Sequence, residues 1–139
     1  MKKASFVLSK SKTIEKYSEL KKHSDIVSYS FKTNLEVGII LKENTDSFFS
    51  VHSYEDINIL NCPERVWYFA QAWQKGEIAK IHGKGIFNYV VDNEHDLRVL
   101  LDFLNETDTR INLLLRMRLK EHTLQTGKHY VYGMYSNTI

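Results

Sequence analysis

The sequence is poor in the residues that mark several protein classes. Cys62 is the only cysteine and Pro63 the only proline among 139 residues, so no intrachain disulfide can form and a reducing compartment is the default. No apolar run approaches the roughly 18 residues that a membrane span needs, and the charged N-terminus lacks the apolar core of a signal peptide. We therefore expect a cytoplasmic chain with no membrane partner.

An excess of charge of one sign is also missing. The 19 Lys and Arg residues nearly balance the 17 Asp and Glu residues, for a net charge of +2, so we expect no nucleic-acid partner. The 6 histidines form no H-E-x-x-H motif and no Cys/His pair at ligand spacing, so no metal site is predicted. No linker-like segment divides the chain, and we expect residues 1–139 to form a single domain.

What the sequence does contain is a regular alternation of two kinds of segment. From Asp25 onward, β-branched and aromatic runs recur at intervals of roughly 20 residues, the length of one strand-loop-helix-loop unit. The predicted strands are residues 5–8, 25–31, 47–51, 65–69, 86–91 and 110–117. The clearest helical pattern between them is the leucine stripe of Leu97, Leu100, Leu101 and Leu104. It follows Asn93, a predicted N-cap. Alternating strands and helices predict a parallel sheet.

Two weaker helical patterns follow Thr13, which we interpret as an N-cap, and Asn34. The last predicted strand is almost continuously apolar from Ile111 to Leu115, as expected for a parallel strand that is covered on both faces. A doubly wound sheet would favour a Gly-rich first turn, but no G-x-G-x-x-G motif occurs in the chain. A complete (β/α)8 barrel needs roughly 200–250 residues, so length alone favours an open sheet.

A lysine lies at the end of the first of these βα strands. Residues 26–34 read Ile-Val-Ser-Tyr-Ser-Phe-Lys-Thr-Asn. This segment resembles a strand of the ornithine/diaminopimelate/arginine decarboxylase family, the alanine-racemase-like pyridoxal-phosphate enzymes, in which an aromatic–x–aliphatic/aromatic–Lys–Ala/Thr–Asn pattern carries the lysine that forms a Schiff base with the cofactor. The resemblance implies that Lys32 is the catalytic lysine. A nucleophilic lysine must be neutral part of the time, which requires apolar burial or a neighbouring cation.

Further segments resemble the same family, in collinear order, over nearly all of the chain. They are Phe6-Val7-Leu8-Ser9, Glu64-Arg65-Val66-Trp67-Tyr68 with Glu77-Ile78, Val91-Asp92-Asn93 with Asp96-Leu97, Leu114-Leu115-Arg116-Met117, and Thr126-Gly127 with Tyr132-Gly133-Met134. None of these segments is specific alone, and their order carries the resemblance. The order outweighs the length argument and favours an incomplete barrel.

The resemblance implies an α/β fold, namely a partial (β/α)8 TIM-type barrel of about five parallel strands with helices outside and an extra N-terminal strand. It implies pyridoxal phosphate as the cofactor, an amino acid as the substrate and decarboxylation as the reaction. Arg116 lies in a segment that resembles the family strand with an arginine near the cofactor. His52, at the end of the second βα strand, is a further candidate for cofactor binding beside Lys32 and Arg116.

Several positions depart from the family pattern. Trp73 and Val131 stand where the family has lysines. The family's phosphate-binding loop, ring-stacking histidine and β-domain would all follow the segment at Gly133, and the chain ends at Ile139. We therefore expect this chain alone to be incompetent as a decarboxylase, and to act as a homo-oligomer or with a complementing C-terminal polypeptide.

Two other interpretations stay open. The first is a non-catalytic remnant or partner subunit that docks a second polypeptide through its open barrel edge, because an unpaired strand edge is a template for pairing. The second is a pyridoxal-phosphate homeostasis or racemase-like barrel, against which the predicted N-terminal strand argues.

Overall fold

A computed structural model of the chain describes residues 7–69, 71–118 and 132–139. The chain divides into two compact units, Met1–Val66 and Trp67–Ile139. Ser5 and Phe6 of the predicted N-terminal strand lie outside the described residues, and Val7 and Leu8 belong to no strand. Thr126, Gly127 and Val131 also lie outside the described residues.

The first unit alternates helices with two short parallel strands. Its elements are α1 (Lys10–Lys21), β1 (Ser28–Ser30), a 3-10 turn (Phe31–Thr33), α2 (Leu35–Asn44), β2 (Phe48–Val51), α3 (Tyr54–Leu60) and a second 3-10 turn (Pro63–Arg65). β1 and β2 pair in parallel, with Tyr29 opposite Phe49. The side chains of Phe31, Phe49, Val51 and Leu60 are at most 2% exposed and form the core of this unit.

Side-chain caps determine where the helices of the first unit begin. Asn34 caps α2 and accepts a hydrogen bond from the backbone N–H of Val37 at 3.1 Å. The prediction of Thr13 as the cap of α1 is wrong: Ser9 is the cap, and the Thr13 hydroxyl donates to the Ser9 carbonyl at 3.0 Å from within the helix. A hydroxyl inside a helix can bond back to the carbonyl four residues earlier, so a threonine alone does not mark a helix start.

The second unit continues the alternation of strands and helices. Its elements are β3 (Val66–Phe69), α4 (Lys75–His82), β4 (Asn88–Val91), α5 (Glu94–Thr107) and β5 (Asn112–Leu115). β3 pairs in parallel with β4, and β4 pairs in parallel with β5. Tyr89 at the centre of β4 therefore lies opposite Tyr68 on one side and Leu113 on the other. Strands that follow one another in sequence are neighbours in space.

Burial in the second unit follows the predicted pattern only in part. Asn93 caps α5, as predicted. The buried face of α5 is formed by Asp96, Leu100 and Phe103, whereas Leu101 of the predicted leucine stripe is 46% exposed. β4 is buried at all four positions.

The prediction that the last strand is covered on both faces is wrong for the described residues. β5 alternates between exposed positions (Asn112 and Leu114) and half-buried positions (Leu113 and Leu115). Because successive side chains of a strand point to opposite faces, one face of β5 is exposed and the other is partly covered.

The predicted α/β class is confirmed, as are the five βα strands, and every strand pairing given above is parallel. Among the described residues we find no helix with the length and apolar character that crossing a bilayer requires.

Candidate functional site

Lys32 lies on the 3-10 turn that directly follows β1. The turn is anchored by Phe31, which is 2% exposed and meets the ring of Phe49 edge-to-face, with ring centroids 6.0 Å apart. Gly38 on α2 leaves room for the anchor, because a Cβ atom there would lie 2.5 Å from the Phe31 ring. The backbone beneath Lys32 is therefore fixed by packing, while the Lys32 side chain itself is exposed.

A hydrogen bond closes the loop around Lys32. The Tyr29 hydroxyl on β1 donates to the carbonyl oxygen of Asn34 at 3.2 Å. Burial raises the pKa of Tyr29, so its hydroxyl keeps its proton and continues to donate at neutral pH. Because Asn34 is also the cap of α2, this bond connects the strand before Lys32 to the helix after it.

His52 follows β2 as Lys32 follows β1. Ser30 and Ser50 are opposite each other in the parallel register, so Lys32 and His52 each lie two positions beyond a paired residue of neighbouring strands. Since the carboxyl ends of parallel strands meet at one edge of a sheet, both residues belong to the same edge of the first unit. His52 is half-buried.

Arg116 belongs to the second unit and directly follows β5. It is exposed, and its guanidinium carbon lies 5.4 Å from the centroid of the Tyr132 ring. Arg118 makes a similar contact with Tyr135 at 5.1 Å. Both arginines therefore make cation–π contacts within their own unit. Each of the three predicted site residues follows a strand, and their role in holding a cofactor stays a prediction.

The second unit contains a buried carboxylate that the sequence alone marks only as part of a helix start. Asp96 is 0% exposed. It accepts hydrogen bonds from the backbone N–H groups of Ala72 at 3.1 Å and Trp73 at 3.2 Å, and from Asn93 Nδ2 at 2.6 Å. Trp73 Nε1 donates to the Asp96 carbonyl at 3.0 Å. A buried carboxylate is tolerated when it is hydrogen-bonded in this way, and here it holds Ala72 at a positive φ of 49°.

A cavity of about 640 Å³ lies at the carboxyl ends of β3 and β4. Gln71 and Ala72 follow β3, and Asp92, Asn93 and Glu94 follow β4. The remaining lining residues are Tyr132, Gly133, Met134, Tyr135 and Thr138. Sequence reasoning missed this site because its two sides are distant in the chain. The signal that was available is Asp92, a carboxylate placed directly after a fully buried strand.

The structure is that of an α/β chain in which polar residues lie just after the carboxyl ends of parallel strands. No family model matches the chain, and neither a curated protein nor a solved structure matches it. Within the described ranges, no group of three or more His, Cys, Asp or Glu side chains is arranged to hold a metal ion.

Proposed function

We propose that this chain is the N-terminal portion of a pyridoxal-phosphate-dependent amino-acid decarboxylase of the ornithine/diaminopimelate/arginine type, with Lys32 as the residue that bonds to the cofactor. One observation carries the proposal: the lysine of the family-like segment follows the first of a series of parallel strands. Active sites in parallel α/β proteins lie at the carboxyl ends of the strands. His52 follows the neighbouring strand at the same edge.

The order of the strands supports a barrel-type winding. β1 neighbours β2, and β3, β4 and β5 are neighbours in sequence order. A doubly wound sheet reverses its strand order at a switch point, and neither unit contains such a reversal among its described strands. We therefore propose a partial (β/α)8 barrel for this chain.

The residues of the first unit fit part of the cofactor. Lys32 offers an exposed primary amine on an anchored turn, which suits covalent attachment to a carbonyl carbon. His52 offers an imidazole at the neighbouring strand end, where it would lie against the bound ring. When bound, pyridoxal phosphate supplies an electron sink for the electron pair left by loss of carbon dioxide. Lys32 would hold the carbonyl carbon in the resting chain and, once the substrate amine had displaced it, would accept or donate a proton at Nζ.

The exposure of Lys32 has a consequence for turnover. A lysine reacts only when its amine is neutral, a state that burial or a neighbouring cation favours. Lys32 is exposed, so we infer that a second copy or a complementing polypeptide covers it during catalysis. On this proposal, the anchored turn and the neighbouring His52 would direct attachment of the cofactor to Lys32 over other exposed lysines in the chain alone, whereas decarboxylation of an amino acid needs the cover.

Trapping by reduction tests the proposal. The full chain is mixed with limiting pyridoxal phosphate and reduced with borohydride, and the modified lysines are mapped by peptide mass spectrometry. We expect the label on Lys32 to exceed that on Lys80, an exposed lysine of α4, by about tenfold, which corresponds to about 1.4 kcal/mol of preference. Lys32→Arg should abolish the main label, and Lys80→Arg should not. A label spread evenly over exposed lysines would refute the role of Lys32.

The exposed Leu114 on β5 favours a second candidate function, that of a subunit which associates with a second copy of this chain through β5. Leu114 is 52% exposed, and β5 contains no charged residue. An apolar strand edge is a template for pairing, and two copies of an uncharged strand can pair without like-charge repulsion.

Sedimentation of the full chain over a range of concentrations tests this association. We expect a dimer that Leu114→Lys weakens by at least about tenfold, because it places two like charges in one interface. Leu101→Lys is the matched control, since Leu101 lies on α5 and is 46% exposed. A monomer at all concentrations, or equal effects of the two substitutions, would exclude β5 as the interface.

A further inference from the structure

We propose that the first unit contains a binding site for a fatty carboxylate of medium chain length, such as octanoate. The site is a groove of about 500 Å³ to which α1, β1 and α2 all contribute residues. Its volume falls inside the range of roughly 300–1,000 Å³ that is usual for small-molecule sites. This inference uses neither Lys32 nor the cofactor and is independent of the proposed decarboxylase function.

The groove is apolar at its floor and along its margins. Tyr17 of α1 and Leu41 of α2 are buried residues of its lining. Leu8, just before α1, and Leu20, near the end of that helix, also line the groove but are 39% and 60% exposed. An alkyl chain in the groove would remove its own apolar surface and that of these side chains from water, which is favourable.

The hydroxyl groups that line the groove are already hydrogen-bonded within the chain. On α1, the Thr13 hydroxyl donates to the Ser9 carbonyl at 3.0 Å, and Ser9 Oγ accepts from the Lys12 N–H at 3.4 Å. The remaining pairs are Ser28 with Ser50 at 2.9 Å, Tyr29 with the Asn34 carbonyl at 3.2 Å, and Tyr17 with Asp46. A neutral polar ligand would therefore gain little here, whereas an alkyl chain needs no hydrogen bonds.

The charges at the groove favour an anionic head group. Lys12 and Lys16 contribute two ammonium groups, and the described lining residues include no Asp or Glu. Lys16 pairs with Glu19 at 2.7 Å, which offsets its charge. Lys12 makes no ion pair within the described residues. Its exposed ammonium group is therefore the partner for a carboxylate, which can bind it at the rim without losing all of its hydration.

The length of α1 along the groove sets the length of the ligand. Lys12 and Leu20 both line the groove, and their separation in sequence corresponds to about 12 Å along a helix axis. Each C–C bond of about 1.5 Å advances a staggered alkyl chain by about 1.25 Å, so a chain of about eight to ten carbons spans about 9–11 Å. A carboxylate beside Lys12 therefore places the end of such a chain close to Leu20.

The wall formed by α1 is held in place before any ligand binds. The buried Tyr17 donates its hydroxyl hydrogen bond to Asp46, in the loop after α2. Lys21, at the end of α1, pairs with the same carboxylate at 2.9 Å and donates to the Asp25 carbonyl at 2.7 Å. A preformed groove binds a ligand with little cost of ordering.

Titration of the full chain with octanoate, hexanoate and octylammonium tests the inference. The probes are used at constant ionic strength, below the concentrations at which they form micelles, and binding is followed by methyl chemical shifts. We expect octanoate to bind with a Kd on the order of 1 mM and to shift the methyl groups of Leu20, Val37 and Leu41. Hexanoate should bind about tenfold more weakly, because it buries two fewer CH₂ groups. Octylammonium should also bind about tenfold more weakly, because Lys12 repels its head group.

Substitutions then test whether Lys12 selects the head group. Lys12→Glu should reverse the order, so that octylammonium binds more tightly than octanoate. Lys10→Glu makes the same change of charge at an exposed position of α1 outside the groove. It should keep the original order, because residues two apart on a helix do not face each other.

Four results would overturn the inference: octylammonium or hexanoate binding as tightly as octanoate, shifts that lie outside the groove, or a reversal by Lys10→Glu as well. The order of the three probes on the unsubstituted chain decides the question even if Lys12→Glu does not fold.

Discussion

At the scale of single residues, the guanidinium group of Arg65 holds together the end of α2 and the start of β2. Its Nε donates to the Ser47 carbonyl at 2.8 Å, and its two terminal nitrogens donate to the carbonyls of Lys42 at 3.1 Å and Thr45 at 3.0 Å. Its guanidinium carbon also lies 5.2 Å from the centroid of the Phe49 ring. The carbonyls of Lys42 and Thr45 lie where α2 ends and cannot be satisfied within the helix, and the carbonyl of Ser47 directly precedes β2.

We expect Arg65→Lys to lower the free energy of unfolding by about 2 kcal/mol, because an ammonium group cannot reproduce the planar fork that reaches three carbonyls. Urea denaturation followed by circular dichroism measures the change. Arg98→Lys is the control: Arg98 is an exposed partner of Glu94 on α5, and its replacement should cost no more than about 0.5 kcal/mol. Equal losses in the two variants would show that Arg65 acts only as a surface charge.

At the scale of elements, the sequence predicts the strands better than the helix boundaries. The five βα strands fall inside the predicted runs because each run is a cluster of β-branched and aromatic residues. The cap Asn93 is also confirmed, since a side-chain amide at a helix start has a clear physical role. The helix α3 was not predicted, although Ser53 caps it by accepting a hydrogen bond from the Asp56 N–H at 3.2 Å. With only 7 residues, it shows too little periodicity to be recognised.

The candidate sites differ in how far the sequence predicts them. His52 directly follows β2 and Lys32 lies two residues after β1, so strand prediction alone places them at the same edge of the first unit. The cavity of the second unit depends on Gly133 approaching the backbone of Arg116, a contact between residues 17 positions apart. The exposure of β5 was also missed, because an apolar strand looks the same in sequence whether one or both of its faces are covered. Such features depend on tertiary packing, which local patterns do not encode.

At the scale of the whole molecule, phenol groups in both units set the alkaline limit of stability. Burial and a hydrogen bond to Asp46 raise the pKa of Tyr17 to about 12 in the first unit. In the second unit, burial raises the pKa of Tyr89, whose hydroxyl donates to the Ile86 carbonyl at 2.9 Å. A raised pKa means that the unfolded chain loses its proton first as the pH rises. The stabilisation is therefore complete below a pH of about 10 and is lost above it.

Asp46 acts in the opposite direction on the acid side. Hydrogen bonds from Tyr17 and Lys21 lower the pKa of Asp46 to about 2. A lowered pKa means that the unfolded chain takes up a proton first as the pH falls. The contribution of Asp46 is therefore present above a pH of about 4 and is lost as the pH falls toward 2. In urea denaturation at a series of pH values, Asp46→Asn should flatten the acid limb of stability. It should also reduce the contribution of Tyr17 to the alkaline limb, because the hydrogen bond to Asp46 helps to raise the pKa of Tyr17, and it should leave the contribution of Tyr89 unchanged.

Tyr17→Phe provides the sharpest test of the alkaline limb. The free energy of unfolding of the unsubstituted chain should fall as the pH rises from about 10 to about 12, and Tyr17→Phe should reduce this fall by about 2 kcal/mol. The slope with pH is the measured quantity, because the variant also loses the hydrogen bond to Asp46 and starts from a lower stability at neutral pH. Urea denaturation at a series of pH values gives the slope. Tyr135→Phe, at a position 49% exposed, should keep the slope of the unsubstituted chain. If Tyr17→Phe also keeps that slope, ionisation of this phenol does not limit folding at high pH.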